Sequence, residues 1–260
     1  MSTVSQQLLN LFFKRRTIRR FSSKPVPEEV VQRIVEAGQR APTACNLQTY
    51  SVIWVRDDKL KNKVLDACKI SGAIREAPII FVICADVYRL SQVLDYLGHN
   101  HCFRHGHGYL IKFMSIMDAC FVAENMTMAA ECLGLGSVYI GSAFANDELI
   151  ETLKLPENVI PLTLLCVGYP NEQPPTRPRW PLSSILHIDS YKKPTEKEMK
   201  AFLEHMNYTL EKEGYYQKYA NRESTYHYSD HIRHKTIADQ QEKMDLEILS
   251  VLKKMRFLPS

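Results

Sequence analysis

The segment IKFMSIMDACFVAENMTMAAECL (111–133) decides the fold, because its apolar residues surround a helix nearly completely. They include Phe113, Met117, Val122 and Met126. A helix without a polar face is buried on all sides. A chain of 260 residues offers little to cover such a helix. We therefore expect a second copy of the chain to cover it, which predicts a homodimer.

The segments on either side of this helix show the periods of both helices and strands. Leu8, Leu9, Phe12 and Phe13 predict a first amphipathic helix, and Pro27 is expected at the first position of a second helix. Residues 89–110 are expected to be irregular. From Pro170 onward we expect a proline-rich arm and then polar helices, with too few apolar residues for a core of their own. The remaining expected elements are helices at 57–69 and 149–153 and strands at 51–55, 79–84, 138–140 and 162–167.

Composition and charge exclude several classes of protein. The net charge of +4 permits an anionic ligand but is too small to indicate nucleic-acid binding. Seven cysteines without a CxxC spacing predict free, mostly buried thiols in a reducing compartment. The first residues lack the apolar core of a signal peptide. No apolar run approaches the roughly 20 residues of a membrane helix, so a cytoplasmic protein is expected.

Two polar motifs near the start of the chain could bind a ligand. RRTIRRF (15–21) carries arginines whose planar forks suit a phosphate or an electron-rich ring edge. By itself the motif is weak, and the alternative is a solvated basic helix end. PTACNLQTY (42–50) brings together the hydroxyl of Thr43 and the amides of Asn46 and Gln48. Amides suit a ring with alternating C=O and N–H groups, such as a flavin. The alternative is a turn that satisfies its own backbone.

Two further motifs concern glycine and arginine. In LGLGSVYIGS (133–142), Gly134 and Gly136 follow a helix and precede a strand, which is the reverse of the dinucleotide fingerprint and excludes a Rossmann site. Gly134 is the expected C-cap of the helix, and Gly141 would let backbone amides approach a flat ligand. TRPRW (176–180) lies in the arm, where Arg177 or Arg179 could complete a phosphate site. The alternative is a surface arm without a ligand.

The last two motifs are rich in histidine and in tyrosine. His99, His101, Cys102, His105 and His107 contain good metal ligands, but their spacing matches no known zinc finger, and a loop over an active site is favoured. The segment YYQKYANRESTYHYSDHIRHK (215–235) mixes aromatic and basic residues. Contact with a nucleotide cofactor or with the partner subunit is favoured there over nucleic acid.

Taken in order, these motifs resemble the nitroreductase and FMN-dependent flavin reductase family, and most of all its branch of major oxygen-insensitive nitroreductases. The resemblance extends from about residue 10 to the C-terminus. The residues that carry it are RRTIRRF, PTACNLQ, APIIFVICAD (77–86), AAECLGLGSVYIG (129–141), PLTLLCVGYP (161–170), RPRW (177–180) and YSDHIR (228–233).

The resemblance implies an α+β fold of three layers, in which a mostly antiparallel sheet lies between helices of an intertwined homodimer. Residues 1–260 would form a single FMN-binding domain, with 170–260 as an arm and helical excursion over the partner subunit. One FMN would be bound without covalent linkage in each of two clefts between the subunits.

The resemblance also implies which residues bind the cofactor. Some contacts of the loop around residue 46 would come from the opposite subunit. The residues lining the phosphate, the ribityl chain and the ring edge would be Arg15, Arg16, Thr17, Ile18 and Arg19, with Arg177 and Arg179 closing on the phosphate. Those bordering the isoalloxazine would be Thr43, Asn46, Gln48, Ser71, Tyr139, Ile140, Gly141 and Ser142.

The chain departs from the family pattern at several positions. The family frequently has histidine in place of Arg15, a glutamine in place of Ser71 and a second glycine in place of Ser142. Its related branch grips the 2′-phosphate of NADPH with an arginine after paired tyrosines. The matching place here is Tyr219, with Lys218 and Arg222 beside it, so both NADPH and NADH remain open as reductants.

The implied activity is a ping-pong reduction. A reduced nicotinamide would give hydride to flavin N5, and a nitroaromatic, a quinone or free flavin would then take the electrons. No side chain acts as nucleophile or general acid in this reading, and Arg19 is the candidate to stabilise the charge of reduced flavin. Two alternatives stay open: a family member that cleaves flavin or removes a substituent, and a metal-binding dimer built on the loop 99–107.

Overall fold

The computed structural model of the chain describes residues 3–220 and 226–259. It confirms the expected alternation of helices and strands. The helices are α1 (Thr3–Lys14), α2 (Glu28–Gly38), α3 (Asp58–Ala67), α4 (Tyr88–Tyr96), α5 (Tyr109–Cys132), α6 (Asp147–Leu153), α7 (Glu196–Glu213), α8 (Tyr215–Ala220), α9 (Tyr228–Lys235) and α10 (Ala238–Lys254). The strands are β1 (Tyr50–Trp54), β2 (Ile79–Asp86), β3 (Gly136–Ile140) and β4 (Val159–Gly168).

The four strands form one antiparallel sheet in the order β1-β2-β4-β3. Every residue of β2 is buried, because helices cover both faces of the sheet. Side chains alternate between the two faces of a strand. Phe81 and Ile83 therefore join one hydrophobic core, whereas Ile80 and Val82 join the other. This arrangement confirms the expected three-layer α+β fold.

Helix α5 packs with α2 on one face of the sheet, and it presents polar groups inward. Lys112, Ser115 and Asp118 are buried on its inner side. On its outer side, large apolar side chains are exposed in the single chain. These side chains, which we name the α5 stripe, are Leu110, Phe113, Met117 and Phe121. The expected burial of this helix on all sides is therefore not met within one chain.

The segment after α1 extends the sheet beside β3. Thr17 forms a bridge with Ser137, and the Ile18 N–H donates to the Ser137 carbonyl at 3.0 Å. A Cβ atom built on Gly136 would lie 2.4 Å from Cγ1 of Ile18, so this position requires glycine. Helix α1 is a helix as predicted, and its apolar residues Phe12 and Phe13 are exposed.

Several local expectations are corrected by the structure. Residues 89–110 are not irregular throughout, because α4 and a short 3-10 turn at Cys102–His105 occupy much of them. Helix α2 begins at Glu28, so Pro27 is its N-cap residue. The seven cysteines are free as expected, but they are not mostly buried. Only Cys68, Cys84 and Cys166 are inside.

The chain divides into two compact units. One comprises residues up to Pro174 together with those from Asp245 onward, and it contains the sheet. The other comprises Pro175–Met244, and it has a small core of its own, contrary to the expectation from composition. Met206, Leu210, Tyr215 and Tyr216 form that core. Among the described residues, no helix is long and apolar enough to cross a membrane.

Candidate functional site

The basic segment is held in place by its main chain. The Asn171 N–H donates to the Arg20 carbonyl at 2.9 Å, and the Ser22 N–H donates to the Tyr169 carbonyl at the same distance. The carboxylate of Glu172 accepts the N–H groups of Arg19 at 2.5 Å and of Arg20 at 3.1 Å. These bonds, with those to Ser137, fix the residues from Arg15 to Arg19 along the edge of the sheet beside β3.

Two buried polar atoms near this segment lack a partner among the described residues. They are Nε of Arg16 and Oε1 of Glu131, and both residues line one cavity together with Ile18, Gly136 and Glu172. Burial raises the pKa of Glu131, while the charges of Arg15 and Arg16 oppose that rise. A buried guanidinium nitrogen without a partner is costly. An anionic group such as a phosphate therefore fits the donors of this segment.

The end of β3 offers backbone rather than side chains to a ligand. The Tyr139 hydroxyl bonds Thr127 at 2.7 Å, and burial raises the pKa of Tyr139. Ile140 is buried, and the Ser142 hydroxyl donates to the Cys68 carbonyl at 2.7 Å. By contrast, a Cβ atom built on Gly141 would meet no atom within 4 Å. A flat ring can therefore approach the chain closely at Gly141.

The loop between α2 and β1 is strained and firmly tied. Cys45, Asn46 and Gln48 all have positive φ angles, of 50°, 55° and 53°. Such a conformation costs an L-residue about 1–2 kcal/mol. Asp118 accepts hydrogen bonds from both ends of the loop, and Arg89 binds its carbonyl groups. The side chains of Asn46 and Gln48 remain exposed, while Thr43 precedes the turn of the loop.

Sequence reasoning missed Asp118 and Arg89. One signal could have found Asp118. It is the lone acidic residue in the first three turns of a largely apolar helix, and a buried carboxylate requires hydrogen-bond donors. No comparable signal exists for Arg89, whose partners at residues 48 and 50 are 41 and 39 positions away in the chain.

The two groups of expected cofactor residues lie at different places along α5. The loop is tied at Asp118, near the middle of the helix, whereas the basic segment and β3 lie near Thr127 and Glu131. With a rise of 1.5 Å per residue, Asp118 and Glu131 are about 20 Å apart along the axis. One chain therefore brings Arg15–Arg19 to Tyr139–Ser142 but does not bring Asn46 and Gln48 to them.

Ser71 belongs to the group around β3. It precedes a 3-10 turn at Gly72–Glu76 and is exposed. Two hydrogen bonds connect the end of α3 with the residues that follow β3. The Ser142 hydroxyl donates to the Cys68 carbonyl, and the Asn146 side-chain amide donates to the Ala67 carbonyl at 3.0 Å.

The remaining candidates lie in the second unit. The Arg177 guanidinium lies over the Tyr215 ring, 4.7 Å from its centroid, and Arg179 donates to the carbonyls of Arg177 and Pro178. Lys218 and Tyr219 belong to α8, and Arg222 lies outside the described residues. The assignment of these residues to phosphate and nicotinamide stays a prediction.

The histidine-rich loop is held by a carboxylate. Asp95 contacts Nε2 of His101 at 3.1 Å and Nε of Arg104 at 2.6 Å. The Arg104 hydrogen bond, and after it the one from His101, lower the pKa of Asp95. Within residues 3–220 and 226–259, no group of three or more His, Cys, Asp or Glu side chains is arranged to hold a metal ion. The metal-binding alternative therefore gains no support.

Comparison with known proteins agrees with this geometry. Residues 13–169 match the family model described as "Nitroreductase family". An FMN reductase [NAD(P)H] of Bacillus subtilis is 36% identical over 177 residues, which are 68% of this chain and 71% of that protein. An NADPH-dependent oxidoreductase of Staphylococcus epidermidis is 32% identical over 263 residues, covering 98% and 99% of the two chains.

Solved structures have the same fold. The NfrA1 nitroreductase from B. subtilis superposes with a TM-score of 0.82 at 26% identity, over 94% of this chain and 98% of that one. The hypothetical oxidoreductase YcnD from B. subtilis gives a TM-score of 0.82 at 28% identity, over 94% and 97%. The family model spans more than half of the chain, in the part that contains the basic segment, the loop and the whole sheet. This chain belongs to the nitroreductase family.

Proposed function

We propose that this protein is an FMN-dependent NAD(P)H oxidoreductase that reduces nitroaromatics, quinones or free flavin by ping-pong two-electron transfer. The observation that carries the proposal is the pairing of the basic segment with β3, which ends at the open backbone of Gly141. Arginines for a phosphate and a surface for a flat ring lie on one continuous edge. The names of the B. subtilis and S. epidermidis relatives support the same activity.

The residues of this edge have distinct roles in the proposal. Arg15, Arg16 and Thr17 hold the phosphate and the ribityl chain, and Arg16 thereby gains a partner for its buried Nε. Ile18 lies in the hydrophobic core and fixes the segment against Gly136. The positive charge of Arg19 stabilises the reduced flavin ring. Gly141 leaves space for that ring beside the backbone. Bound FMN supplies the two-electron redox chemistry.

We propose further that the active molecule is a homodimer. The α5 stripe and the apolar side of α1 are exposed in one chain, and exposed apolar patches of this kind mark interfaces. Contact between two α5 helices in opposite directions would bring the loop of one chain to the basic segment of the other. Thr43, Asn46 and Gln48 would then border the flavin held by the partner's edge, near Tyr139, Ile140, Ser142 and Ser71.

The proposal also assigns roles to residues of the second unit. Arg177 and Arg179 close on the phosphate, and the arm that begins near residue 170 reaches over the partner subunit. Lys218, Tyr219 and Arg222 are the candidates for contact with the nicotinamide cofactor, which is NADPH or NADH. The positive charges of Lys218 and Arg222 suit a phosphorylated ligand.

The proposal is tested by the colour of the purified protein and by its titration with NADH or NADPH. Purified protein should be yellow, should release its flavin on denaturation, and should bleach with NADH or NADPH in the absence of oxygen. Initial rates over both substrates should give parallel double-reciprocal lines. Substitution Arg19→Ala should weaken FMN binding or slow bleaching, while Arg33→Ala, an exposed arginine on α2, should change neither. A colourless protein that takes up no added FMN contradicts the proposal.

A further inference from the structure

A buried carboxylate on α5 joins both ends of the loop that carries Asn46 and Gln48. The Asp118 side chain is 1% exposed. Its Oδ1 accepts the Ala44 N–H at 2.9 Å, and its Oδ2 accepts the Thr49 N–H at 3.3 Å and the Thr49 hydroxyl at 2.8 Å. Three donors compensate the burial of this charge. The loop is thereby fastened to the helix at Ala44, where its turn begins, and at Thr49, just before β1.

An arginine holds the same loop from the other side. Nη2 of Arg89 donates to the carbonyl oxygens of Gln48 at 2.6 Å and of Tyr50 at 2.7 Å. Arg89 is itself fixed, because its N–H donates to Oδ1 of Asp86 at 3.1 Å at the start of α4. The Asp86 N–H in turn donates to the Thr49 carbonyl at 3.0 Å. Asp118 therefore binds the donors of the loop, and Arg89 binds its acceptors.

These bonds act on main-chain atoms and on the Thr49 hydroxyl, and they leave the two amide side chains of the loop exposed. Asn46 and Gln48 have left-handed backbones, which L-residues rarely adopt unless the surrounding structure imposes them. Release of either end would let these residues return to ordinary backbone angles. Their side chains would then point in other directions.

We propose that Asp118 and Arg89 are positioning residues that fix Asn46 and Gln48 in the arrangement that borders FMN. This inference rests on the function proposed above. Neither residue touches the cofactor. Asp118 is buried inside the chain, and the Arg89 guanidinium is engaged with backbone carbonyls. These two side chains, together with backbone hydrogen bonds such as that from Asp86 to Thr49, hold the loop in its strained form, so the cofactor meets a loop that is already ordered.

The test uses two variants and a matched control for each. Asp118→Asn keeps the shape but replaces one acceptor by a donor, and Arg89→Ala removes the exposed donor. Ser115→Ala is the control for Asp118→Asn. It removes a buried hydrogen bond on the same helix, in which the Ser115 hydroxyl donates to the Lys112 carbonyl and not to the loop. Arg56→Ala is the control for the second, because this exposed arginine pairs with Glu28 beyond the other end of β1.

Two properties are measured. Amide hydrogen exchange of the FMN-free protein is followed in a peptide covering residues 42–50, and the dissociation constant and absorption band shape of FMN are measured where circular dichroism shows each variant folded. Asp118→Asn should speed exchange in this peptide and raise the FMN dissociation constant about tenfold or more. Arg89→Ala should raise the FMN dissociation constant about threefold. For both control variants, the FMN dissociation constant should stay within about twofold of that of the original protein.

The outcomes separate this inference from the proposed function. Unchanged exchange and unchanged FMN affinity in folded Arg89→Ala and Asp118→Asn would overturn the positioning role. If Asp118→Asn does not fold, Arg89→Ala alone decides, because its side chain lies at the surface. Faster exchange in a protein that binds no FMN in its original form would support the loop restraint and contradict the proposed function instead.

Discussion

At the scale of single residues, Glu131 shows how burial and charge compete beside the basic segment. Its Oε1 is buried without a partner among the described residues, and burial raises the pKa of this carboxyl. The folded chain therefore holds the proton more tightly than the unfolded chain does. Ionised Glu131 costs stability at neutral pH, and the cost disappears as the pH falls through the folded pKa towards the unfolded value.

The substitution Glu131→Gln should accordingly raise the melting temperature of the FMN-free protein at pH 7. The difference should narrow as the pH approaches the ordinary glutamate range near 4.5. The variant should also bind FMN more tightly, because a negative charge near Arg15 and Arg16 is removed. Thermal unfolding between pH 4 and pH 8 checks this, with Glu36→Gln, an exposed glutamate on α2, as the control. A lower melting temperature at pH 7 would contradict it.

At the scale of elements, α5 buries polar side chains together with apolar ones and leaves large apolar side chains exposed. Lys112, Ser115 and Asp118 face inward, and the α5 stripe faces outward. Its inner groups are satisfied by backbone and loop partners, such as the Gly106 carbonyl that accepts from Nζ of Lys112 at 3.2 Å. The outer side gains favourable burial only when another surface covers it.

Substitution Met117→Glu in the centre of the α5 stripe should therefore separate the proposed dimer. A charge buried in an apolar interface costs several kcal/mol unless it is paired. Sedimentation velocity should show the mass of one chain, and bound FMN should be lost with the interface. The control is Val93→Glu, an exposed apolar position on α4. A dimer with full FMN content in Met117→Glu would refute the assigned interface.

The sequence predicted elements well where the pattern is local. The unbroken apolar run after Pro78 predicted strand β2, and the structure confirms its position. Strand β3 begins two residues earlier than expected, because Gly136 and Ser137 have small side chains that resemble a turn but pair with β4. Helix α4 was missed because polar residues and the adjacent histidines hide its period, and the hydrogen bond from the Arg89 N–H to Asp86 at its start was not recognised as a helix signal.

At the scale of the whole molecule, the proposed cleft draws residues from two chains. An Arg19→Ala dimer would have two defective basic segments, and an Asp118→Asn dimer two defective loops. In a mixed dimer, one cleft would contain both defects and the other neither. Random mixing should then restore FMN binding in about a quarter of the clefts, since about half of the dimers are mixed.

This prediction is checked by refolding the two variants together and titrating FMN against the mixture. Each variant refolded alone is the control and should retain only its own weakened binding. If the mixture binds no better than the average of the two variants, the basic segment and the loop serve the same cleft within one chain.

The second unit shows why composition misled at this scale. Its residues were expected to lack a core because they contain few aliphatic side chains. The core is built largely from aromatic rings, such as Tyr216 packed edge-on against Tyr226 at 5.0 Å between centroids. Aromatic side chains bury a large area each, so a few of them suffice for a small cluster.

By itself, the sequence predicted the family from an ordered set of motifs along the chain. It predicted strand β2, the long apolar helix and the basic segment from residues close together in the chain. Only the tertiary structure decided that Lys112, Ser115 and Asp118 of α5 are buried, that Gly136 must admit Ile18, and that Asp118 restrains a loop 74 residues away. Local periodicity reports neighbours within one or two turns, whereas these contacts exist only after distant segments have packed together.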